Sequence, residues 1–127
     1  MSNVLVGSLV AVYGSLRAGL GNHRLLSTAV RQDDGIIADG FRMVSLGGFP
    51  ALIKQGEHTP IVVEVYEVES ETRASNLDML EGYPSFYSRE VVTLVDGREC
   101  WVYFIRGTSY SGNTPVPNGD WKQFKLS

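Results

Sequence analysis

Apolar residues in the first half of the chain fall in short runs separated by glycine, proline and polar residues, a pattern typical of short strands. Residues 5–13 are rich in Val and Leu and are predicted to form a strand that ends at Gly14. A second extended segment is predicted over residues 35–46. A turn at residues 47–50 and a brief strand over residues 51–53 are expected to follow it.

Two stronger strand signals lie in the second half. Residues 61–68 carry many β-branched side chains, which predicts a central strand. Residues 87–95 and 99–105 flank the dipeptide Asp96-Gly97, and this arrangement predicts a β-hairpin with a tight turn.

The end of the chain is predicted to be irregular. The residues after Gly107 are rich in Gly, Pro, Asn and Ser, which favour turns over regular elements. Trp121 and Phe124 are large and apolar, and we expect them to pack this tail against the core.

Two helices are predicted from their capping residues. Asn22 is a candidate N-cap for a short helix that reaches about residue 29. Ser70 is a candidate N-cap for a longer helix that runs to about Glu81. Gly82 suits the left-handed position that ends such a helix, because it has no Cβ.

One clear helix between runs of strands, rather than alternating strand and helix, favours an α+β fold. We expect a curved mixed or antiparallel sheet that closes partly into a small β-barrel, with short helices flanking it. The length of 127 residues suits one core, so residues 1–127 are predicted to form a single domain.

Composition narrows the classes of function. The 14 acidic and 11 basic residues are dispersed and give a net charge of −3, which predicts no nucleic-acid partner. The apolar runs are too short to span a membrane. A single cysteine, Cys100, is typical of a reducing compartment, so a cytoplasmic location is expected, with Cys100 as a buried apolar side chain. Two histidines and one cysteine are too few for a structural zinc site, and no metal or cofactor is predicted.

Glu81 is the first candidate for chemistry. At 100° per residue it shares a helix face with Ala74 and Leu77, whereas Asp78 and Met79 are expected to point elsewhere. Burial on that face would raise the pKa of the carboxyl toward the range useful for proton transfer. Two ordinary interpretations stay open. The side chain could turn outward at the helix end, or it could pair with Arg89.

The second candidate is the turn Tyr13, Gly14, Ser15, Leu16. A glycine directly after a strand lets successive backbone N–H groups face one point and form a site for negative charge. The alternative is an ordinary tight turn. The spacing of later glycines and the absence of a Lys-Ser/Thr ending exclude the common phosphate-binding loops. His23 could act as a base for Ser15, or it could be a structural hydrogen-bonding residue.

A third candidate group lies on the hairpin. Tyr87 and Arg89 alternate with Ser88 and so share one strand face. Tyr87 could present its hydroxyl to a ligand, and Arg89 could bind a carboxylate through its planar fork or simply brace a loop. Tyr103, on the partner strand, is expected to pack in the core with its hydroxyl bonded, unless it also faces the ligand.

Two blocks of sequence resemble the γ-glutamyl cyclotransferase-like family, which includes the plant avirulence-induced proteins and the γ-glutamylamine cyclotransferases. The first block is Val12-Tyr13-Gly14-Ser15-Leu16-Arg17, followed by Gly19, Gly21, Asn22 and His23. The second is Leu77-Asp78-Met79-Leu80-Glu81-Gly82-Tyr83-Pro84, followed by Tyr87 and Arg89. A weaker match comprises Trp101-Val102-Tyr103 and the late Gly119-Asp120-Trp121.

The resemblance implies a mixed β-barrel with a pocket at the turn after the first strand. It implies Glu81 as the catalytic residue, and Tyr13, Gly14, Ser15, Leu16 and Tyr87 as substrate-binding residues, with Tyr103 as a further pocket tyrosine. The implied substrate is a small γ-glutamyl compound. The chain is shorter than the glutathione-pathway members of the family, a departure that favours γ-glutamyl-amine-like substrates.

The resemblance also implies a reaction, in which the α-amine of a γ-glutamyl amide attacks its own γ-carbonyl and releases 5-oxoproline and an amine or amino acid. The expected assembly is a monomer or a weak homodimer. Two other functions stay open at this point. One is a non-catalytic module of the same fold that binds γ-glutamyl or carboxylate ligands, and the other is a structural domain that binds a partner.

Overall fold

The computed structural model describes residues 5–14, 16–17, 29–54, 56–83, 85–107, 110, 112–116 and 118–126, with the side chains of all of these except 125 and 126. The elements of the described residues are, in chain order, β1 (Leu9–Val12), β2 (Gly35–Ile37), β3 (Arg42–Ser45), β4 (Pro50–Ile53), β5 (Ile61–Glu67), α1 (Glu71–Glu81), β6 (Ser88–Thr93), β7 (Glu99–Phe104) and α2 (Trp121–Leu126).

Five of these strands form a curled half-barrel sheet in the order β2-β5-β1-β7-β6. The β1–β7 pair is parallel, and the β2–β5, β1–β5 and β6–β7 pairs are antiparallel. Strands β3 and β4 form a second, two-stranded sheet, which is joined to the first where the Ile105 N–H donates to the Leu52 carbonyl at 2.9 Å. The predicted α+β fold with a mixed, curved sheet is therefore confirmed.

The half-barrel buries side chains on both faces, as expected for a sheet covered on two sides. Alternate residues of β1 point to opposite faces, so that Val10 and Val12 join one apolar cluster and Ala11 and Tyr13 join the other. The first cluster includes the buried face of α1, and the second includes Trp121 of α2. The end of β1 therefore lies between two packed layers, and its position is fixed by both.

Helix α1 confirms its prediction at both ends. The Ser70 hydroxyl accepts a hydrogen bond from the Arg73 N–H at 3.2 Å. Gly82 adopts φ 66° and ψ 31°, and its N–H donates to the Met79 carbonyl while the Tyr83 N–H donates to the Asp78 carbonyl. This pair of bonds is the Schellman motif, which ends the helix directly after Glu81. The helix predicted to begin at Asn22 lies outside the described residues except at its end.

The strand predicted over residues 35–46 is wrong as a single element. The chain forms β2 and β3 instead, because it turns between them at Gly40, where φ is 100° and L side chains are strained. The first strand is also shorter than predicted. Residues 5–8 form a turn, with the Ser8 N–H bonded to the Leu5 carbonyl at 3.0 Å, and β1 begins only at Leu9.

The prediction of an irregular tail is wrong at its end, where residues Trp121–Leu126 form α2. The Asp120 carboxylate accepts from the Gln123 N–H at 3.3 Å, which is the bond of a helix N-cap. Trp121 is 2% exposed and its ring stacks on Phe124 at 5.5 Å between centroids. The expected packing of these two aromatic residues against the core is confirmed.

Gly119, which precedes α2, is expected to be intolerant of a side chain. Its φ is 61°, and a Cβ there would lie 1.9 Å from the Pro60 carbonyl oxygen. Left-handed strain and forced displacement of the backbone should together lower the free energy of unfolding of Gly119→Ala by about 3 kcal/mol. Gly7, with φ 84° and nothing within 4 Å of such a Cβ, is the matched control, and Gly7→Ala should lose about 1 kcal/mol. Equal losses in urea unfolding would contradict the steric explanation.

Candidate active site

A pocket of about 300 Å³ opens where the end of β1, the turn before β4 and the end of α1 meet. This volume is at the lower end of the range for small-molecule sites, about 300–1,000 Å³. Its lining comprises Ala11, Val12, Tyr13, Gly14, Leu16, Gly48, Phe49, Pro50, Leu80, Glu81, Phe86, Tyr87 and Tyr103. The predicted catalytic residue and the described substrate-binding residues therefore lie in one pocket. Arg89 is not part of its lining, and Ser15 and His23 lie outside the described residues.

The turn after β1 forms one wall of the pocket, where the backbone of Gly14 packs closely against the Pro50 ring. A Cβ on Gly14 would lie 3.0 Å from Cγ of Pro50, so no larger residue fits there without movement. The Arg17 N–H donates to the Gly14 carbonyl at 3.0 Å and closes the turn. Leu16 is buried beneath it. The glycine predicted to let the backbone bend thus also lets the turn pack against the strand across the pocket.

Glu81 is the last residue of α1 and its carboxyl faces this pocket. Removal from water raises its pKa from 4.5 to about 7. Within the described residues no group forms a hydrogen bond or an ion pair with the carboxyl that would favour the charged form. Of the two ordinary interpretations, neither holds, because the side chain lines the pocket and Arg89 pairs with Asp78 instead.

Three tyrosines form the buried part of the pocket, and each hydroxyl hydrogen is used within the protein. Tyr13 donates to the Tyr103 carbonyl at 2.7 Å, and Tyr87 donates to the Pro50 carbonyl at 2.8 Å. Tyr103 donates to Oδ1 of Asp78 at 2.6 Å. Burial raises the pKa of all three, so they remain protonated. Toward a ligand, these hydroxyls can therefore act only as acceptors.

Asp78 is a site-supporting residue that the sequence reasoning missed. It was expected to point away from the face of Glu81, yet its carboxylate accepts from Tyr103 and from Nε and Nη2 of Arg89, at 3.0 and 3.3 Å. Arg89 in turn lies over the Tyr83 ring, 4.1 Å from its centroid. Of the two roles open for Arg89, bracing is the one observed. The helix spacing did indicate this position. Asp78 lies four residues after buried Ala74 and three before Glu81, and residues three or four apart are neighbours on a helix.

A second missed feature holds the turn from behind. Arg17 is 6% exposed, and its guanidinium contacts Glu64 at 3.1 Å and Asp120 at 2.8 Å. Glu64, on β5, is 1% exposed and also accepts from Tyr66 at 2.9 Å and contacts Lys122 at 3.2 Å. This buried ion cluster ties the turn to the sheet and to α2. In the sequence, Arg17 was noted only as the last residue of the first block that resembles the family.

Cys100 is buried and burial raises its pKa to about 11, so it is the inert apolar side chain that was expected. Among the residues described, no three His, Cys, Asp or Glu side chains gather into a group that could hold a metal ion. The described helices include none with the length and apolar character to cross a membrane.

The raised pKa of Glu81 has a consequence for stability. The folded-state pKa, about 7, lies above the ordinary 4.5, so the folded protein holds this proton more tightly than the unfolded chain. Stability is therefore lost as pH rises from the unfolded to the folded pKa, and it changes no further above that. Glu81→Gln should remove this loss, so its stability relative to wild type should increase by about 3 kcal/mol as pH rises from about 4 to about 8.

Urea unfolding of both proteins at the two pH values measures this difference, and all other titrating groups cancel in the comparison. A stability difference that does not change with pH would contradict burial of the carboxyl.

A family model and two relatives that match this chain all carry the name gamma-glutamyl cyclotransferase. The family model described as "Gamma-glutamyl cyclotransferase, AIG2-like" matches residues 10–123. A Niallia circulans protein named gamma-L-glutamyl-butirosin B gamma-glutamyl cyclotransferase is 33% identical over 124 residues, which cover 91% of this chain and 76% of that one. A Methanocaldococcus jannaschii protein with the provisional name gamma-glutamylcyclotransferase is 33% identical over 121 residues, 91% of this chain and 97% of its own.

Solved structures share the fold. An uncharacterized protein from Pyrococcus horikoshii superposes with a TM-score of 0.77 at 23% identity, covering 94% of this chain and 93% of that one. A mouse aig2-like protein superposes with a TM-score of 0.75 at 22% identity, covering 90% of this chain and 87% of that one. At these identities the likeness is one of architecture.

Proposed function

We propose that this chain, which belongs to the gamma-glutamyl cyclotransferase, AIG2-like family, uses Glu81 to cyclise a γ-glutamyl amide to 5-oxoproline. The proposal rests on one observation. Among the described lining residues of a small pocket at the turn after β1, Glu81 alone carries a carboxyl, and burial raises its pKa to about 7. The name of the Niallia circulans relative also specifies a γ-glutamyl compound as its substrate.

The substrate carries its own nucleophile, and this explains how so small a pocket suffices. The α-amine of a γ-glutamyl amide reaches the γ-carbonyl when the side chain folds into a five-membered ring. Holding that folded form makes the attack intramolecular, for which effective molarities reach about 10⁵ M or more. The pocket's buried floor of Val12, Tyr13, Tyr87 and Tyr103 supports a compact ligand of this kind.

Glu81 is proposed to move the proton. The ionised carboxyl takes a proton from the α-ammonium group, and the freed amine nitrogen forms a bond to the γ-carbon. The bond from that carbon to the leaving nitrogen then breaks as Glu81 returns the proton to that nitrogen. The ring nitrogen gives up its second proton through Glu81 to the released amine, so that 5-oxoproline and an ammonium ion are formed and Glu81 is ionised again. A carboxyl with a pKa near 7 can both accept and return a proton near neutral pH.

The turn and the tyrosines are proposed to hold the charged groups of the substrate. Backbone N–H groups after Tyr13 can receive the negative charge of the oxyanion or of the α-carboxylate. The hydroxyl oxygens of Tyr13, Tyr87 and Tyr103 have their hydrogens committed to the protein, so their remaining lone pairs suit the α-ammonium group. Residues of the turn and the hairpin thus position the substrate, while Glu81 performs the chemistry.

A panel of γ-glutamyl-amines and γ-glutamyl-amino acids tests this proposal. The purified protein should release 5-oxoproline from at least one member of this panel, and chromatography with mass detection measures the product. The α-glutamyl isomer of each compound is the control. Its amide is at the α-carbonyl and its γ-carboxyl is free, so attack of the α-amine on the γ-carbon has no amine to release. Absence of 5-oxoproline from the whole panel would overturn the proposed function.

A further inference from the structure

The mouth of the pocket differs in character from its floor. Phe49 and Phe86 are each 40% exposed and Leu80 is 38% exposed, although all three are large apolar residues that line the pocket. The floor residues are buried. Glu81, which also lines the pocket, is intermediate in exposure and directly follows the exposed Leu80 in α1. A ligand that reaches Glu81 from the floor therefore extends over an apolar rim as it leaves the pocket.

The rim is held in place by contacts between aromatic rings. Phe86 packs edge-on against Tyr87 with centroids 4.9 Å apart, so the rim is continuous with the floor. It makes similar edge-on contacts with Phe49, at 6.4 Å between ring centroids, and with Tyr110, at 6.2 Å. Its backbone N–H also donates to the Gly82 carbonyl at 2.8 Å, at the end of α1. A surface supported in this way can receive an apolar group without first reorganising.

The charges of the described lining also discriminate between ligands. Among these residues Glu81 is the one that titrates near neutral pH, and none is Lys or Arg. The guanidinium of Arg89, on β6, is bonded to Asp78. A carboxylate placed at the mouth would face the Glu81 carboxyl, and like charges repel.

The direction in which the substrate lies follows from the proposed reaction. The α-amine and the γ-carbonyl must meet near Glu81, and the folded glutamyl group is compact and polar, which suits the tyrosine-lined floor. The amide nitrogen then points the leaving group toward the mouth, where the released amine can depart.

We propose that Phe49, Leu80 and Phe86 form a leaving-group subsite. It selects γ-glutamyl amides that carry an uncharged aromatic or bulky aliphatic group on the amide nitrogen over γ-glutamyl-amino acids. This inference rests on the proposed function and names the substrate class of the same pocket. An aromatic amine covers the exposed faces of these side chains, whereas an amino-acid leaving group brings a carboxylate toward Glu81.

Three substrates with the same glutamyl group test the subsite: γ-glutamyl-phenethylamide, γ-glutamyl-ethylamide and γ-glutamylglycine. The value of kcat/KM for the phenethylamide should exceed that for the ethylamide by about tenfold. It should exceed the value for γ-glutamylglycine by more than about tenfold. Phe49→Ala should reduce the phenethyl-to-ethyl ratio to near one. Val95→Ala removes another exposed apolar side chain, 67% exposed in the hairpin turn, and should leave the ratio unchanged.

Binding gives a second measurement that does not need turnover. Calorimetry with Glu81→Gln should show about tenfold tighter binding of the phenethylamide than of the ethylamide, and Phe49→Ala in the same background should abolish the difference. Equal affinities, or equal kcat/KM values for the three substrates, would overturn the subsite and leave the cyclotransferase proposal standing. Release of 5-oxoproline from none of them, while the affinities still differ, would overturn the proposed reaction alone.

Discussion

Replacing Glu81 with Gln is expected to lower kcat for 5-oxoproline release by about 10²- to 10⁴-fold, because the amide can neither take nor return a proton. Gln has nearly the same shape, so the substrate should still bind, and KM should change much less than kcat. The wild-type rate should also fall as pH decreases below about 7, where the carboxyl becomes protonated and can no longer act as a base. Steady-state kinetics across pH, with 5-oxoproline as the readout, measures both effects.

Glu57→Gln is the control for this experiment, because Glu57 is exposed and lies away from the pocket. It should retain wild-type kcat. Circular dichroism and urea unfolding should show that Glu81→Gln stays folded, which separates loss of chemistry from loss of structure. If Glu81→Gln released 5-oxoproline at the wild-type rate, another residue would have to carry the proton.

The largest expected effect on stability comes from Glu64→Ala. Its carboxylate is 1% exposed and contacts Arg17, Lys122 and Tyr66. Removing one member of a buried ion cluster leaves the opposite charge in a poorly hydrated place, so the free energy of unfolding should fall by about 3–5 kcal/mol. Because Arg17 closes the turn that carries Gly14, activity should fall as well.

Denaturant unfolding measures this loss, with Glu57→Ala as the exposed-carboxylate control, for which the change should stay within about 0.5 kcal/mol. Glu64→Gln keeps a hydrogen-bond acceptor and should lose less stability than Glu64→Ala. A Glu64→Ala protein as stable as the control variant would mean that the cluster contributes little to holding the turn.

Features set by neighbouring residues could be predicted from sequence. The ends of α1 depend on Ser70 and Gly82, and each acts within one helical turn. The β6–β7 hairpin follows from alternating residues around Asp96-Gly97. The family resemblance supplied most of the candidate site, because the periodicity of α1 alone did not distinguish a buried Glu81 from one that turns outward.

Features that depend on distant partners could not be predicted in this way. Arg17 pairs with Glu64 and Asp120, which are 47 and 103 residues away in the chain, and nothing near Arg17 identifies either partner. Asp78 meets Tyr103 only because β7 lies beside α1. The break between β2 and β3 depends on a single glycine with positive φ, and a six-residue helix such as α2 is too short for periodicity to reveal.

The proposed role of Glu81 as acid–base requires that its carboxyl titrate near neutral pH in the folded protein. Carbon-13 NMR of protein labelled at the glutamate side-chain carboxyl, with Glu81→Gln used to assign the resonance, gives its pKa in the folded protein. A midpoint near 7, well above the ordinary 4.5, is expected if the carboxyl is held in a poorly hydrated pocket. A midpoint at 4.5 would place it in contact with bulk water and would contradict its role as the acid–base.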